Sequence, residues 1–507
     1  MPLRNLLVIL LAAAVSIACY WRASRNRYVD NLTQAMNLIE SQYVDEVELP
    51  KLYEGAMEGM VDQLDPYSGY TNPADYEKLL EDLDQEFGGI GIQVEVKPDT
   101  GRLTVMNPLP RTPAYEAGLK AGDVILSIGG QDTKSMTIND AVRLMRGKPG
   151  EPVTIGVLQR SSDRPIELTI KRAIIPIESV YGDLRKADGD WTFRLASHPE
   201  IGYIRIATFG ERTSDELRVA IESLRSGEPK LASLVIDLRG NAGGLLRAAI
   251  ETCDMFLNEG RIVSTNGRGD VQLSAFDASS GVEFPTELPI VVLVDQYSAS
   301  ASEIVAACLQ DHDRAVICGQ RSWGKGTVQN VIELGSGKNR SAMRLTVARY
   351  QRPSGKNIHK KTGAVDADDW GVRPNPKLEV NLTDAQFEQR LVNRRSRDLL
   401  SAEDAAAGKP TSETVAEAST DVPATIAPQG EEPPSSTGSS SESEAPSDAT
   451  SESPSETSET KPAENQPAEE TPAASPKTTD KLPTPDPFAI DPQLAKAIAY
   501  LQSLEKK

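Results

Sequence analysis

Residues 291–311 read Val-Val-Leu-Val-Asp-Gln-Tyr-Ser-Ala-Ser-Ala-Ser-Glu-Ile-Val-Ala-Ala-Cys-Leu-Gln-Asp, and residues 324–329 read Gly-Lys-Gly-Thr-Val-Gln. The opening run, with Ile290 before it, predicts a buried strand over Ile290–Val294, because it is continuously apolar and β-branched. The small residues at Tyr297–Ser300 predict a turn, and the apolar spacing beyond them predicts an amphipathic helix to about Asp311. Strand, turn and helix in that order are the unit of an α/β fold. The turn leaves Ser300 at a helix start, where free N–H groups and the helix dipole stabilise negative charge. Lys325 follows, held between two glycines.

Outward from this stretch, residues 176–400 repeat the α/β alternation. Ile201–Ile206 predicts a strand, Thr213–Leu224 a helix opened by Thr213-Ser214-Asp215-Glu216, and Leu231–Leu238 a buried strand. The last ends in Arg239-Gly240-Asn241-Ala242-Gly243-Gly244-Leu245, with a helix predicted over Arg247–Phe256. Sites in such sheets lie beyond the strand C-termini, where this glycine loop and the Ser300 turn both fall. Toward the N-terminus, Leu32, Met36, Ile39 and Tyr43 recur at helical spacing and Leu52–Leu64 repeats the pattern. Asp65-Pro66-Tyr67-Ser68-Gly69 then breaks it. These helices are expected to form a small packing unit near a membrane. Asn5–Trp21 is uncharged, mostly apolar and preceded by Arg4, which suits an export signal retained as an anchor.

From Phe87 the period changes. Gly88-Gly89-Ile90-Gly91-Ile92 leads into alternating Val94 and Val96, then Leu103-Thr104-Val105, Ala117-Gly118-Leu119-Lys120-Ala121-Gly122-Asp123-Val124-Ile125, a helix around Ala141–Arg146, and strands at Val153–Val157 and Ile166–Ile170. This stretch resembles a PDZ domain. The resemblance implies that Gly89, Ile90, Gly91 and Ile92 form its carboxylate-binding loop. Consecutive glycines let backbone N–H groups converge on an anion, and a neighbouring strand edge can take a peptide as an extra strand.

The chain of 507 residues carries a net charge of −20, but residues 401–490 hold 18 Asp/Glu against 4 Lys/Arg. The remainder is only mildly acidic, so nucleic acid is not an expected partner. The same stretch is rich in Ser, Thr, Glu, Pro and Ala and almost without aromatics, which predicts a disordered acidic linker. Beyond it, Leu494, Ile498, Leu501 and Leu504 make a helical stripe, expected to dock on the N-terminal helices or on a partner chain. Histidines number three (His198, His312, His359), and neither H-E-x-x-H nor C-x-x-C occurs, so no metal or cofactor is expected. Cys19, Cys253, Cys308 and Cys318 read as small apolar residues, with one disulfide left open. Gly319-x-x-x-x-Gly324-Lys325-Gly326 nearly makes a nucleotide loop but has glycine where a hydroxyl must reach Mg²⁺.

Ser300 as a nucleophile needs a base, and a neutral lysine can serve. A free lysine titrates near ~10.4 and must fall to roughly 7–8, which burial can achieve. Lys325 is the candidate base. Gln329, four residues on, is the candidate to orient its amine. Ala301 and the Gly243-Gly244 pair are the candidate N–H donors for a tetrahedral oxyanion. Asp311 is expected to close the helix. The plainer reading of Ser300-x-x-Glu303 is a capping box alone.

Ser298-Ala299-Ser300-Ala301-Ser302-Glu303, Asp311, Trp323-Gly324-Lys325-Gly326-Thr327-Val328-Gln329 and Asp237-Leu238-Arg239-Gly240-Asn241-Ala242-Gly243-Gly244 together resemble the carboxy-terminal processing peptidases, or tail-specific proteases. The similarity runs from about Tyr28 through Val380, departing at Gln296 (usually asparagine) and Trp323 (usually phenylalanine). It implies Ser300 as nucleophile, Lys325 as general base and Gln329 as support, on a crotonase-like α/β protease core. The expected layout is a signal or anchor over 1–21, a helical segment over 22–85, the PDZ domain over 86–173, the protease core over 174–400, the linker over 401–488 and a terminal helix over 489–507. The implied protein is an extracytoplasmic endopeptidase, in a periplasm or its equivalent, anchored to the inner membrane by residues 5–21. Its substrates would be proteins with apolar C-terminal tails, and a homodimer is left open. The alternative is a non-catalytic PDZ scaffold with a dead protease-like domain.

Overall fold

The computed structural model describes residues 10–16, 27–160, 162–186, 189–337, 340–398 and 491–505. Most of the expected anchor over 5–21, Cys19 and the expected linker over 401–488 lie outside these residues. Residues 10–16 are helical, and among the described residues no helix is long and apolar enough to cross a membrane.

The protease-like region is built on a six-stranded sheet. Its order is Val180–Tyr181, His198–Ile206, Ser233–Asp237, Ile290–Val294 and Val316–Gly319, with Arg194–Leu195 paired to His198–Ile206. The last four strands of that order are parallel, with Leu234 opposite Ile290 and Val291 opposite Val316. Side chains alternate between two cores, as strand geometry requires. Ile204, Ile236, Val292 and Ile317 face the helices Thr213–Ser226, Leu246–Asp254 and Ala301–Asp311. Tyr203, Val235, Val291, Leu293 and Cys318 face the other way, onto the terminal helix Pro492–Glu505 through Ala497, Ile498 and Leu501. The terminal helix therefore docks on the protease sheet rather than on the N-terminal helices. A central sheet with parallel strands needs both faces covered, and the segments between its strands supply helices to one.

A second, five-stranded sheet was not foreseen in the sequence. Ser341–Gln351 is its hub, pairing with Thr327–Leu334, Arg261–Asn266 and the short strand Gly69–Thr71, while Gln272–Asp277 extends it beyond Arg261–Asn266. Gly69–Thr71 ties the N-terminal segment into this sheet. The helices of that segment are Arg27–Gln42, Leu49–Val61 and Pro73–Asp84. The last ends at Gln85, whose buried side chain accepts the Arg212 N–H at 2.7 Å.

The small β-domain begins and ends in one ribbon, Glu86–Gly89 paired antiparallel to Ala173–Pro176. Between them a sheet runs Ile92–Val96, Leu103–Pro108, Val124–Ile128, Pro152–Leu158, Ile166–Lys171, over its own core of Leu103, Val105, Ile125, Ile128, Ile155 and Val157. Ile92–Val96 is an edge strand, flanked by the helix Ile138–Met145. Cys253, Cys308 and Cys318 are buried free thiols.

Leu501 is 1% exposed in the core beneath the terminal helix. Leu501→Ala is expected to lower the free energy of unfolding by about 2–4 kcal/mol, read from chemical denaturation followed by tryptophan fluorescence. A helix merely resting on the surface would leave the transition where it is.

Candidate active site

Strand Ile290–Val294 delivers the Ser300 turn at its C-terminal end. Of the three serines there, Ser298 and Ser302 are fully buried and committed: the Ser298 hydroxyl donates to the Leu238 carbonyl (2.9 Å) and the Ser302 hydroxyl to the Asn241 carbonyl (2.9 Å). Ser300 is half-buried, and its hydroxyl donates no hydrogen bond among the described residues. Its backbone sits at φ 55°, ψ −113°, outside the regions a non-glycine residue ordinarily takes. Such strain persists only where surrounding bonds enforce it, and a strained strand-to-helix turn is how a nucleophilic serine is presented.

The enforcing group is Glu303. Its side chain is fully buried and accepts four hydrogen bonds. Oε2 takes the N–H of Ser300 (2.9 Å) and the N–H of Lys325 (2.8 Å); Oε1 takes the Ser322 hydroxyl (2.5 Å) and the Gly324 N–H (2.7 Å). One carboxylate oxygen thus joins the backbones of the candidate nucleophile and base. Tyr350 bridges them a second time, its hydroxyl lying 3.3 Å from the Ser300 carbonyl and bonded to the Lys325 carbonyl. Burial pushes the Glu303 carboxyl up to about 6 against the pull of its four donors.

The Lys325 amine lies 5.2 Å from the centroid of the Tyr67 ring and forms no hydrogen bond among the described residues. Its pKa is lowered, first by burial and then by the Arg344 charge, with Glu303 and Asp65 opposing. Gln329 stands in strand Thr327–Leu334 just past a register shift at Val328/Gln329. Its amide donates to the hydroxyls of Thr327 (2.9 Å) and Thr346 (3.2 Å), and Thr346 donates to Asp65 (3.0 Å). The expected bond from Gln329 to Lys325 is therefore not made in this conformation, because the two hydroxyls hold the amide.

The glycine loop packs directly on the Ser300 turn. A Cβ on Gly243 would stand 2.8 Å from the Ser300 Cβ, and one on Gly244 would meet the Phe209 carbonyl at 2.1 Å. Asn241 ties the two loops, its carbonyl taking the Ala299 N–H (3.0 Å) as well as the Ser302 hydroxyl. Its side chain also takes the Gly243 N–H (2.8 Å), which removes Gly243 from the expected oxyanion donors. The N–H groups of Ala301 and Gly244 have no acceptor among the described residues.

Asp311 does more than close its helix. It grips Arg352 through two hydrogen bonds (2.8 and 2.6 Å) and takes the Ser354 N–H (3.0 Å). His312 bonds the Arg261 carbonyl at 2.7 Å and stands apart from Ser300 chemistry. In the small domain, Ile90 is buried and its carbonyl takes the Ala114 N–H (2.9 Å), while Gly91 (φ 80°) gives its carbonyl to Leu109 N–H (2.9 Å) and the Thr112 hydroxyl (3.0 Å). Gly89 closes the ribbon and Ile92 opens the edge strand. Tyr67, Asp65, Arg344, Thr346 and Tyr350 were not picked out from sequence. They come from two segments far apart in the chain: Asp65 and Tyr67 were seen only as part of a helix break, and the other three carry no local motif.

Three family models match the chain: peptidase family S41 over residues 200–375, a PDZ domain over 104–159, and the activating protease CtpB N-terminal domain over 20–74. Gly89–Ile92 lie just before the matched PDZ span. The carboxy-terminal-processing protease of Bartonella bacilliformis is 42% identical over 322 residues, covering 63% of this chain and 70% of its own. The carboxy-terminal processing protease CtpB of Bacillus subtilis is 33% identical over 402 residues, covering 76% and 79%. The solved photosystem II D1 C-terminal processing protease aligns over 74% of this chain and 97% of its own, at 26% identity and a TM-score of 0.37.

Replacing Glu303 by glutamine puts an NH₂ where two donors converge. Glu303→Gln is expected to cost about 2–4 kcal/mol of stability near neutral pH, since buried N–H groups lose their acceptor. Chemical denaturation of the variant beside the parent measures it; equal midpoints would show that the carboxylate is not what binds the two loops.

Proposed function

The chain belongs to peptidase family S41, as a carboxy-terminal processing serine protease that carries a PDZ domain, and we propose that Ser300 and Lys325 are the dyad that does its chemistry. The observation that carries this reading is the single Glu303 oxygen shared by the two backbones, beside a hydroxyl that donates no hydrogen bond among the described residues. With the backbones joined, the lysine side chain starts beside the Ser300 turn, and rotation about its own bonds would carry the amine to the hydroxyl.

The neutral amine of Lys325 takes the proton from Ser300 Oγ as that oxygen bonds to the scissile carbonyl carbon. The carbonyl electrons move onto oxygen, and the oxyanion is received by the N–H groups of Ala301 and Gly244. Ala301 opens the helix, so the dipole adds to its hydrogen bond. Collapse breaks the C–N bond, and Lys325 returns the proton to the leaving amine. A water, deprotonated by the same amine, then bonds to the acyl carbon; the bond from that carbon to Ser300 Oγ breaks, and Lys325 returns the proton to Oγ. Gln329 supports the amine once its amide leaves the threonine hydroxyls.

Substrate tails enter the small domain. The open edge of Ile92–Val96 adds the tail as a strand, and the loop Gly89-Ile90-Gly91-Ile92 receives its terminal carboxylate, with apolar side chains packing toward Ile138–Met145. The finer layout stands with this reading: a PDZ domain over 86–173, a crotonase-like core over 174–400, extracytoplasmic action, and membrane attachment through residues 5–21. Pairing into a homodimer would be compatible with it.

Ser300→Ala and Lys325→Ala are each expected to lower kcat by about 10⁴-fold or more on an unfolded protein with an apolar C-terminal tail, with circular dichroism unchanged. Cleavage persisting in the lysine variant would reject the dyad. The pH profile supplies a separate check. The base works unprotonated, so kcat/KM should rise with pH through the lowered pKa of Lys325. Arg344→Gln removes a neighbouring positive charge that helps hold that pKa down. The acidic limb should therefore move to higher pH in this variant; an unmoved limb would separate Lys325 from the titration.

A further inference from the structure

The glycine loop that faces Ser300 is held from behind by the far end of the chain. Arg239, the third residue of Asp237-Leu238-Arg239, has a side chain only 3% exposed. Its Nε and one Nη2 hydrogen go to Asp237 (2.9 and 2.6 Å). The rest of its fork goes to the start of the terminal helix: Nη1 and Nη2 to the two oxygens of Asp491 (2.8 and 2.9 Å), and Nη1 also to Gln493 Oε1 (3.1 Å). Gln493 in turn donates to the Val380 carbonyl (3.0 Å). Asp491 also caps its own helix, taking the Leu494 N–H at 3.0 Å.

From Arg239 the constraint runs to the catalytic turn in two short steps. Gly240 N–H donates to Asp295 (2.9 Å), whose other oxygen is held by Arg390 (3.1 Å). Asn241 then shapes Gly243 and binds the Ala299 N–H. Gly244, the proposed second oxyanion donor, lies five residues beyond Arg239. Without Asp491, Arg239 keeps one carboxylate partner and leaves buried guanidinium N–H groups unpaired. A group in that state must rehydrate or turn, and the loop that carries it turns with it.

We propose that Asp491 is a positioning residue for peptide hydrolysis. Through Arg239 it sets the oxyanion-side loop against Ser300, so that full activity requires the terminal helix to be docked on the sheet. The inference rests on the Ser300–Lys325 reading and adds a regulator carried by the same chain. A misplacement of about 1 Å at such a loop is worth on the order of 10²-fold in rate. The terminal helix therefore acts as an intramolecular activator, delivered by a chain segment that is separate from the protease core in sequence.

The test uses the full chain. Asp491→Asn keeps an oxygen for the Leu494 N–H but removes the charge that Arg239 binds. It should lower kcat by roughly 10- to 100-fold with KM within about twofold, and weaken a peptide boronic acid, a mimic of the tetrahedral intermediate, by a similar factor. A brace that is merely structural would lower the melting temperature and leave kcat and boronate affinity alone, which would overturn the proposal. If the asparagine variant does not fold, a protease recognition sequence placed at residue 440 lets the folded chain be cut afterwards. Activity should then fall on removal of the released C-terminal fragment and return on adding a peptide spanning 489–505. Undiminished activity after removal would again overturn it. Failure of the parent protein to cleave in a Ser300-dependent way would strike the dyad reading instead, so the two are separable.

Discussion

One buried carboxylate organises this site. Glu303 gathers four donors onto two oxygens, and two of those donors are the backbone N–H groups of Ser300 and Lys325. Burying a carboxyl without partners would be prohibitive, so the donors and the acid require each other. The consequence for Ser300 is a φ of 55°, a conformation that a serine would leave if Glu303 released its N–H. The consequence for Lys325 is a fixed starting point for a long, otherwise free side chain. The relative placement of Ser300 and Lys325 is set by backbone hydrogen bonds to one carboxylate.

The loops on either side of Ser300 are pinned by arginine–carboxylate pairs whose partners lie outside the α/β unit. Arg390, from the helix Asp384–Asp398, reaches Asp295 before the serine turn; Asp491 reaches Arg239 before the glycine loop. Such pairs are nearly neutral in net stability when complete and costly when broken. Their value is in specificity: each permits one arrangement of a loop that glycines would otherwise leave free. The helix Asp384–Asp398 illustrates the same logic. It is mostly polar: Phe387 packs on Tyr297, and the rest is held by charge, with Arg394 and Arg397 on Asp183 and with Arg205 on Asp398.

What the sequence made legible follows from burial. Ile290–Val294, Ser233–Asp237 and the helix Ala301–Asp311 were readable because both faces, or one whole stripe, are apolar. The second sheet was not. Thr327–Leu334 and Ser341–Gln351 lie half in solvent, and their mixed polar composition gives no period to find. Asp384–Asp398 escaped because its partners are carboxylates far off in sequence. At the site, Ser300 and Lys325 were visible through motif and chemistry, and Ser300-x-x-Glu303 was visible as a cap. That the same glutamate also binds the lysine segment depends on a loop 22 residues away, which no local pattern encodes. Gly243 was misread for a related reason: sequence shows a glycine with an N–H, and only the fold shows Asn241 already holding it.

The environment of Lys325 is a composite. Its lowered pKa comes from burial and from Arg344 on the second sheet, while Glu303 and Asp65 pull upward. Tyr67, which covers the amine, arrives with the N-terminal segment through the pairing of Gly69–Thr71 with Ser341–Gln351. An aromatic face favours a charged amine, whereas a dry pocket favours a neutral one. In this conformation the amine rests against Tyr67, in surroundings whose net effect is to lower its pKa. The Gln329 amide is held by Thr346 and, through it, by Asp65. The surroundings of Lys325 are thus assembled from the second sheet and the N-terminal segment together, and the strand Gly69–Thr71 shapes this pocket as well as completing the sheet.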